Sequence, residues 1–230
     1  SDVVLSLCLG AEGTLWIGTR KGLCVMKNGV ISAASKEQGY PTSPINALLS
    51  DKQGRIWIGS AQGLFIAHDG KCSSAFQGNN TQGNNTSLAD SLAKTPIKAL
   101  FEDKAGTLWI GTLGKGLFAA RNGLLEQITT QNGLSDNRVQ ALSEDAAGTL
   151  WIGTTGGLTR KRANTSINAA FDNFSKKDGL TDNQVWSLMT DREGSLWVGT
   201  YRGGLNRLKN GKFLTYTTQE GLVDDYTYSV

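Results

Sequence analysis

Gly106 to Thr112 reads GTLWIGT, and the phrase recurs as GTLWIGT at Gly13 and Gly148, GRIWIGS at Gly54 and GSLWVGT at Gly194. Its tryptophans Trp16, Trp57, Trp109, Trp151 and Trp197 stand roughly 40 to 50 residues apart, the period of an array of supersecondary units. A short apolar run precedes each phrase, at Val4, Ile45, Ile97, Val139 and Val185. Between run and phrase, repeats two to five carry DKQG, DKAG, DAAG and DREG, with Asp first and Gly fourth as a type I turn prefers. After the phrase, a loop closes on Gly-Leu at Gly22, Gly63, Gly116, Gly157 and Gly204. The next strand ends at Asn28-Gly29, Asp69-Gly70, Asn122-Gly123 and Asn210-Gly211, dipeptides that accept the positive φ of a two-residue hairpin. The fourth repeat has a longer polar loop around Asn164 to Asn168 instead.

A fourth, less regular strand carries apolar pairs such as Leu125 and Ile128 or Phe213 and Tyr216. The tryptophan strand is apolar on both faces, as in a sheet covered on both sides. These features predict an all-β chain, a β-propeller of four-stranded antiparallel blades in one region spanning 1–230. The expected blades are 1–42, 43–94, 95–136, 137–182 and 183–224. Residues 225–230 align with the first strand of a sixth blade, so either five blades close with a spare strand or the chain is part of a larger ring of about seven.

Composition narrows the function classes. With 29 glycines, three prolines and 19% charged residues, the chain should fold. A net charge of +3 without long like-charge runs gives no support to nucleic-acid binding. No run approaches the ~18 apolar residues of a membrane span, and the start lacks a basic signal-peptide region. Cys8, Cys24 and Cys72 fall in apolar slots. The first two lie two strands apart, ~9.6 Å in a flat sheet, beyond the ~7 Å that a disulfide spans. Gln77 to Ser87 reads QGNNTQGNNTS, expected as an exposed polar loop. The N-glycosylation triplets at Asn79, Asn84 and Asn164 read as incidental.

The pattern VxAL, EDxxGxLWIGT, GGL, NG and DGLxxN resembles the two-component regulator propeller repeat, best in EDKAGTLWIGT from Glu102 and GSLWVGTYRGGLNRLKNG from Gly194. The resemblance covers almost the whole chain. It implies an extracytoplasmic sensor region, periplasmic or extracellular, often two seven-bladed propellers ahead of a membrane span and a histidine kinase or diguanylate cyclase. An oligosaccharide or other small ligand, and attached or neighbouring propeller and signalling domains, are the partners implied.

The repeated residues read as structure: the five tryptophans as packing between blades, and Asp51, Asp103, Asp145 and Asp191 as turn caps. No metal or cofactor motif occurs, and the single His68 has no visible triad partners. Variable residues carry the specificity. Strand alternation puts the loops between second and third strands on one face with the links between blades. That face collects Arg20, Lys21, Lys115, Asn137, Arg138, Asn183, Trp186, Tyr201 and Arg202 as a candidate ligand site. Trp186 is the sharpest, because Leu5, Asn46, Lys98 and Gln140 are its counterparts. Three functions stay open: a non-enzymatic sensor; a propeller polysaccharide lyase or glycosidase using face carboxylates such as Asp136, Asp182, Asp224 and Asp225; and a protein-interaction scaffold.

Overall fold

The computed structural model describes residues 3–68, 70–76, 85–163, 165 and 171–228. The first sheet contains β1 to β4 (Val4–Leu9, Leu15–Thr19, Gly22–Lys27, Val30–Ala33) and the second β5 to β8 (Ile45–Ser50, Ile56–Ser60, Gly63–His68, Lys71–Ser74). After α1 (Asn85–Leu92) come β9 to β12 (Ile97–Glu102, Leu108–Thr112, Leu117–Arg121, Leu124–Ile128). The last two sheets are β13 to β16 (Val139–Glu144, Leu150–Thr154, Leu158–Lys161, Asp172–Phe174) and β17 to β20 (Val185–Thr190, Leu196–Thr200, Leu205–Lys209, Lys212–Tyr216). In all five sheets each strand lies beside its neighbour in sequence, the meander of a propeller blade.

Two compact units divide the chain: Ser1–Ile110 with Ala119–Glu126, and Gly111–Phe118 with Gln127–Val230. In the first, Leu23, Tyr40, Ile45, Ile56, Ile58 and Ala67 form a buried cluster, with Trp16, Phe65 and Cys72 packed against it. In the second, Trp151, Leu158, Leu180 and Val185 pack with Leu196, Val198 and Leu208. Each cluster joins one sheet to the next, so apolar burial between sheets supplies the cohesion. Accordingly β6, β10 and β14 are buried along their whole length.

The turn aspartates do more than cap. Asp51 Oδ1 accepts from the backbone of Gln53 and Arg55, at 3.0 and 2.9 Å, while Oδ2 accepts from Trp57 Nε1 at 2.8 Å. Asp103, Asp145 and Asp191 repeat the bond to Trp109, Trp151 and Trp197. One carboxylate thus fixes a turn and satisfies the indole N–H that the blade core would otherwise orphan.

The link between blades is also built by side chains. Thr129, Ser175 and Thr217 cap 3-10 turns and form capping boxes with Asn132, Asp178 and Glu220. Seven residues after Thr130 and Lys176, Asn137 and Asn183 accept from those residues' backbone N–H groups at 2.9 and 2.8 Å. Asp225 does the same for Thr218 at 2.7 Å. The hairpin reading also holds, with Asn28, Asn122 and Asn210 at φ 52°, 51° and 52°.

One local expectation needs correction. The QGNNTQGNNTS stretch is not a loop throughout: residues 77–84 lie outside the described residues, but its end enters α1, which buries Ala89 and Leu92. Two apolar residues three apart were enough to anchor a turn of helix on the sheet. Asn79, Asn84, Asn164 and most of the 164–168 loop also lie outside the described residues. The three cysteines are free and partly buried, and burial pushes the Cys72 thiol up to about 11. Among the described residues no helix is long and apolar enough to cross a membrane.

Candidate functional site

Every first strand whose register is resolved carries a bulge one residue after its start, at Val4/Ser6, Ile45/Ala47, Val139/Ala141 and Val185/Ser187. The extra residue is Leu5, Asn46, Gln140 or Trp186. Because a bulged residue has no ladder partner and is re-aimed by the kink, the blade core does not dictate its identity. That freedom explains why this position varies where its neighbours repeat. In the third sheet the aligned residue is Lys98, whose ammonium burial holds below the ordinary lysine range.

At Trp186 the freedom is used for an aromatic cluster. Its ring stacks on Tyr201, centroids 5.1 Å apart and planes 19° apart. Tyr228 meets Trp186 edge-on at 5.0 Å, and Tyr226 meets Tyr201 edge-on at 5.1 Å. Tyr226 and Tyr228 lie near parallel at 6.2 Å. Four rings therefore form one platform, contributed by β17, the loop after β18 and the segment after the last capped turn. Tyr226 and Tyr228 are exposed. The Trp186 indole N–H is buried and has no hydrogen-bond partner among the described residues, unlike the four blade tryptophans that donate to aspartate.

Arg202 sits over this platform. Its guanidinium carbon lies 5.1 Å from the Tyr201 centroid and 5.8 Å from that of Tyr226, while Nε donates to the Tyr226 hydroxyl at 2.9 Å. The cation–π contacts and the hydrogen bond restrain its orientation.

The other expected site residues fall elsewhere. Lys115 is exposed on the loop whose Gly114 and Gly116 donate to the Asn137 carbonyl, and Arg138 bridges Leu113. These three are neighbours. Asn137 and Asn183 use their side-chain oxygens in the capped links described above. Arg20 and Lys21 are exposed beyond β2 in the first unit. The face carboxylates are engaged in turns: Asp136 accepts from Arg138 N and Thr155 Oγ1, Asp182 from Gln184 N and Asp224 from Tyr226 N. Tyr226 and Tyr228 were missed as site residues, although two tyrosines in a link whose counterparts read Arg138 and Gln140, or Gln184 and Trp186, were a visible signal.

Beside the platform lies a mainly apolar cleft of about 600 Å3, lined by Met189, Trp197, Leu205, Leu222, Val223 and Thr227 among others. It corresponds to the space beside Trp151, Leu158, Leu180 and Val185, which Leu196, Val198 and Leu208 fill. Here Val223 is fully exposed.

Four segments, 39–62, 91–114, 133–156 and 179–202, match the two component regulator propeller family model. Two solved structures from B. thetaiotaomicron are similar. The extracellular domain assigned to a hybrid two component system is 24% identical with a TM-score of 0.77, covering 96% of this chain and 29% of that one. That of a one component system is 20% identical with a TM-score of 0.68, covering 100% of this chain and 36% of that one. This chain thus spans about a third of those domains. A virginiamycin B lyase from Staphylococcus aureus is 14% identical with a TM-score of 0.69, covering 95% and 71%. At these identities the likeness is one of fold. No curated protein sequence matches the chain.

Proposed function

From repeats that belong to the two-component regulator propeller family, we propose that the chain is a non-enzymatic, extracytoplasmic sensory propeller segment. Its ligand, an oligosaccharide, rests on the Trp186, Tyr201, Tyr226 and Tyr228 platform. The observation that carries this reading is an aromatic cluster built on a bulged strand position whose residue differs from sheet to sheet. Partly exposed Tyr and Trp rings present flat apolar faces with polar edges, suited to a ring with an apolar face and a hydroxyl rim. The turn roles of Asp136, Asp182 and Asp224 favour binding over glycosidic cleavage, since two free carboxylates would be needed to flank a bond. Signalling follows if the ligand distinguishes two arrangements of the propeller and an attached output domain.

Titration calorimetry with a panel of neutral and acidic di- to tetrasaccharides tests the site. Tyr201→Ala and Tyr228→Ala should each weaken binding about tenfold, roughly 1.4 kcal/mol, with the melting temperature little changed. No saccharide binding, or binding indifferent to both variants, removes the proposal.

The cleft supports the assignment of 225–230 to a further blade. Thr227 occupies the place of Ile45 and Val185: Ser187 Oγ reaches its carbonyl as Ser6 Oγ reaches that of Ile45. A Cβ on Gly199 would meet its methyl at 3.0 Å, as one on Gly153 would meet Val185. Val223→Asp should then change the stability of this chain by less than ~0.5 kcal/mol. In a polypeptide carrying the next repeat it should cost about 2 kcal/mol or more, because its counterparts Ser135 and Thr181 pack against Thr159 and Asn206 of the next sheet, where a carboxylate would be desolvated. Equal effects in both backgrounds would mean that no blade seats in the cleft.

A further inference from the structure

The arginines stacked on aromatic rings in this chain differ in one respect. Arg55 lies over Trp57 and pairs with Asp51 at 2.6 Å. Arg160 lies over Trp151 and Phe174 and pairs with Asp172 at 2.8 Å. Arg207 lies over Trp197 and pairs with Glu193 at 3.0 Å. Each therefore has its charge neutralised by the blade that holds it. Arg202 lies within cation–π distance of Tyr201 and Tyr226, with a hydroxyl as its hydrogen-bond partner and, among the described residues, no carboxylate beside it.

We infer that the platform takes an acidic sugar, with Arg202 as the residue that receives a hexuronate carboxylate while the sugar ring rests against the neighbouring aromatic faces. The chemistry has two parts. Nε is committed to Tyr226, which leaves the two terminal nitrogens to present the parallel N–H pair that grips a carboxylate bidentately. The two cation–π contacts and the Nε bond restrain the guanidinium, so little rotamer freedom is lost when the ligand arrives, and this favours a planar anion over a diffuse one. The nearby face carboxylates do not compete, because Asp182 and Asp224 face backbone N–H groups of their own turns. A neutral hexose could use the rings but would leave the guanidinium without its counter-charge.

This inference rests on the platform being the ligand site, and the test separates the two. A hexuronate trisaccharide and its neutral hexose counterpart are titrated into the chain and into Arg202→Ala, Arg202→Lys and Tyr201→Ala. The hexuronate should bind at least tenfold more tightly than the neutral sugar, and that preference should vanish in Arg202→Ala. Arg202→Lys should recover only a fraction of it, because an ammonium cannot form the paired contact. Arg202 is exposed, so these variants should fold. Equal affinity for the two sugars, lost in Tyr201→Ala, would overturn the acidic assignment and leave the sensory site standing. Full recovery by lysine would overturn the bidentate contact. Binding of neither sugar would remove both the inference and the site beneath it.

Discussion

Asp51→Ala is expected to destabilise the protein by about 3 to 5 kcal/mol, measured by denaturant or thermal unfolding. The side chain is buried, and its two oxygens accept four hydrogen bonds, from Gln53 N, Arg55 N, Arg55 Nε and Trp57 Nε1. Truncation leaves the indole N–H buried without an acceptor and opens the turn, and each orphaned buried donor costs ~1–3 kcal/mol. Asp51→Asn keeps an acceptor but loses the charge, so it should fall between. Burial pushes the Asp51 carboxyl up, but the bonds from Trp57, Arg55 and the backbone outweigh this and hold it below the ordinary carboxylate range. A depressed folded-state pKa contributes stability that is present above the unfolded value, about 3.9, and is lost as pH falls through the folded one. The acid-unfolding limb of the Asn variant should therefore be shallower than that of the parent. A loss under ~1 kcal/mol for the Ala variant would show that water replaces the network freely.

That network also marks the limit of what could be read from the chain alone. Asp at the first turn position and Gly at the fourth predict the turn, because the preference is local and its geometry spans four residues. The bond from Asp51 to Trp57 is not local. It depends on the hairpin bringing position i+6 back over position i, which only the paired strands define. The same holds for the asparagines of the DNR and DNQ links. Their recurrence was legible, their placement on the candidate face followed from strand alternation, but the use of Asn137 and Asn183 to close a capped turn required coordinates. Repetition identifies residues that every blade needs without saying what for.

Trp186 shows the opposite case. Its departure from Leu5, Asn46, Lys98 and Gln140 was enough to single it out, since a position free of the repeat is a position free of the fold. What the pattern did not supply was the contact among the rings: Tyr201 comes from the loop after β18, and Tyr226 and Tyr228 from the segment after the last capped turn. The other candidates, Lys115 and Arg138, share the expected face, yet Lys115 bonds through its backbone to Thr112 and Gln127, and Arg138 to Leu113, Asp136 and Thr155. Assigning side chains to a face is a weaker statement than bringing them to one site.

Gly153→Ala is the second large effect, and its sign is the informative part. Gly153 sits at ordinary negative or extended φ, where alanine normally stabilises by ~0.4–1 kcal/mol through the unfolded state. Packing reverses this. A Cβ there would stand 2.6 Å from Val185 Cγ1 and 3.3 Å from Val185 Cβ, on the first strand of the next sheet. Gly59 meets Ile97 in the same way, at 2.8 Å from Cγ2. The glycine of the WIG phrase is thus the point of closest approach between consecutive sheets, and a β-branched residue of the next first strand fills the space. Overpacking of a rigid core costs ~1–3 kcal/mol, so the net expectation is a loss of about 2 kcal/mol. Val185→Ala, which by itself opens a cavity, should relieve part of that loss when combined with Gly153→Ala. The double variant should be less unstable than the sum of the singles by about 1 kcal/mol, well outside the ~0.3–0.5 kcal/mol within which independent sites add. Strict additivity, or a more stable Gly153→Ala, would break the link between the repeated glycine and the packing of one sheet on the next.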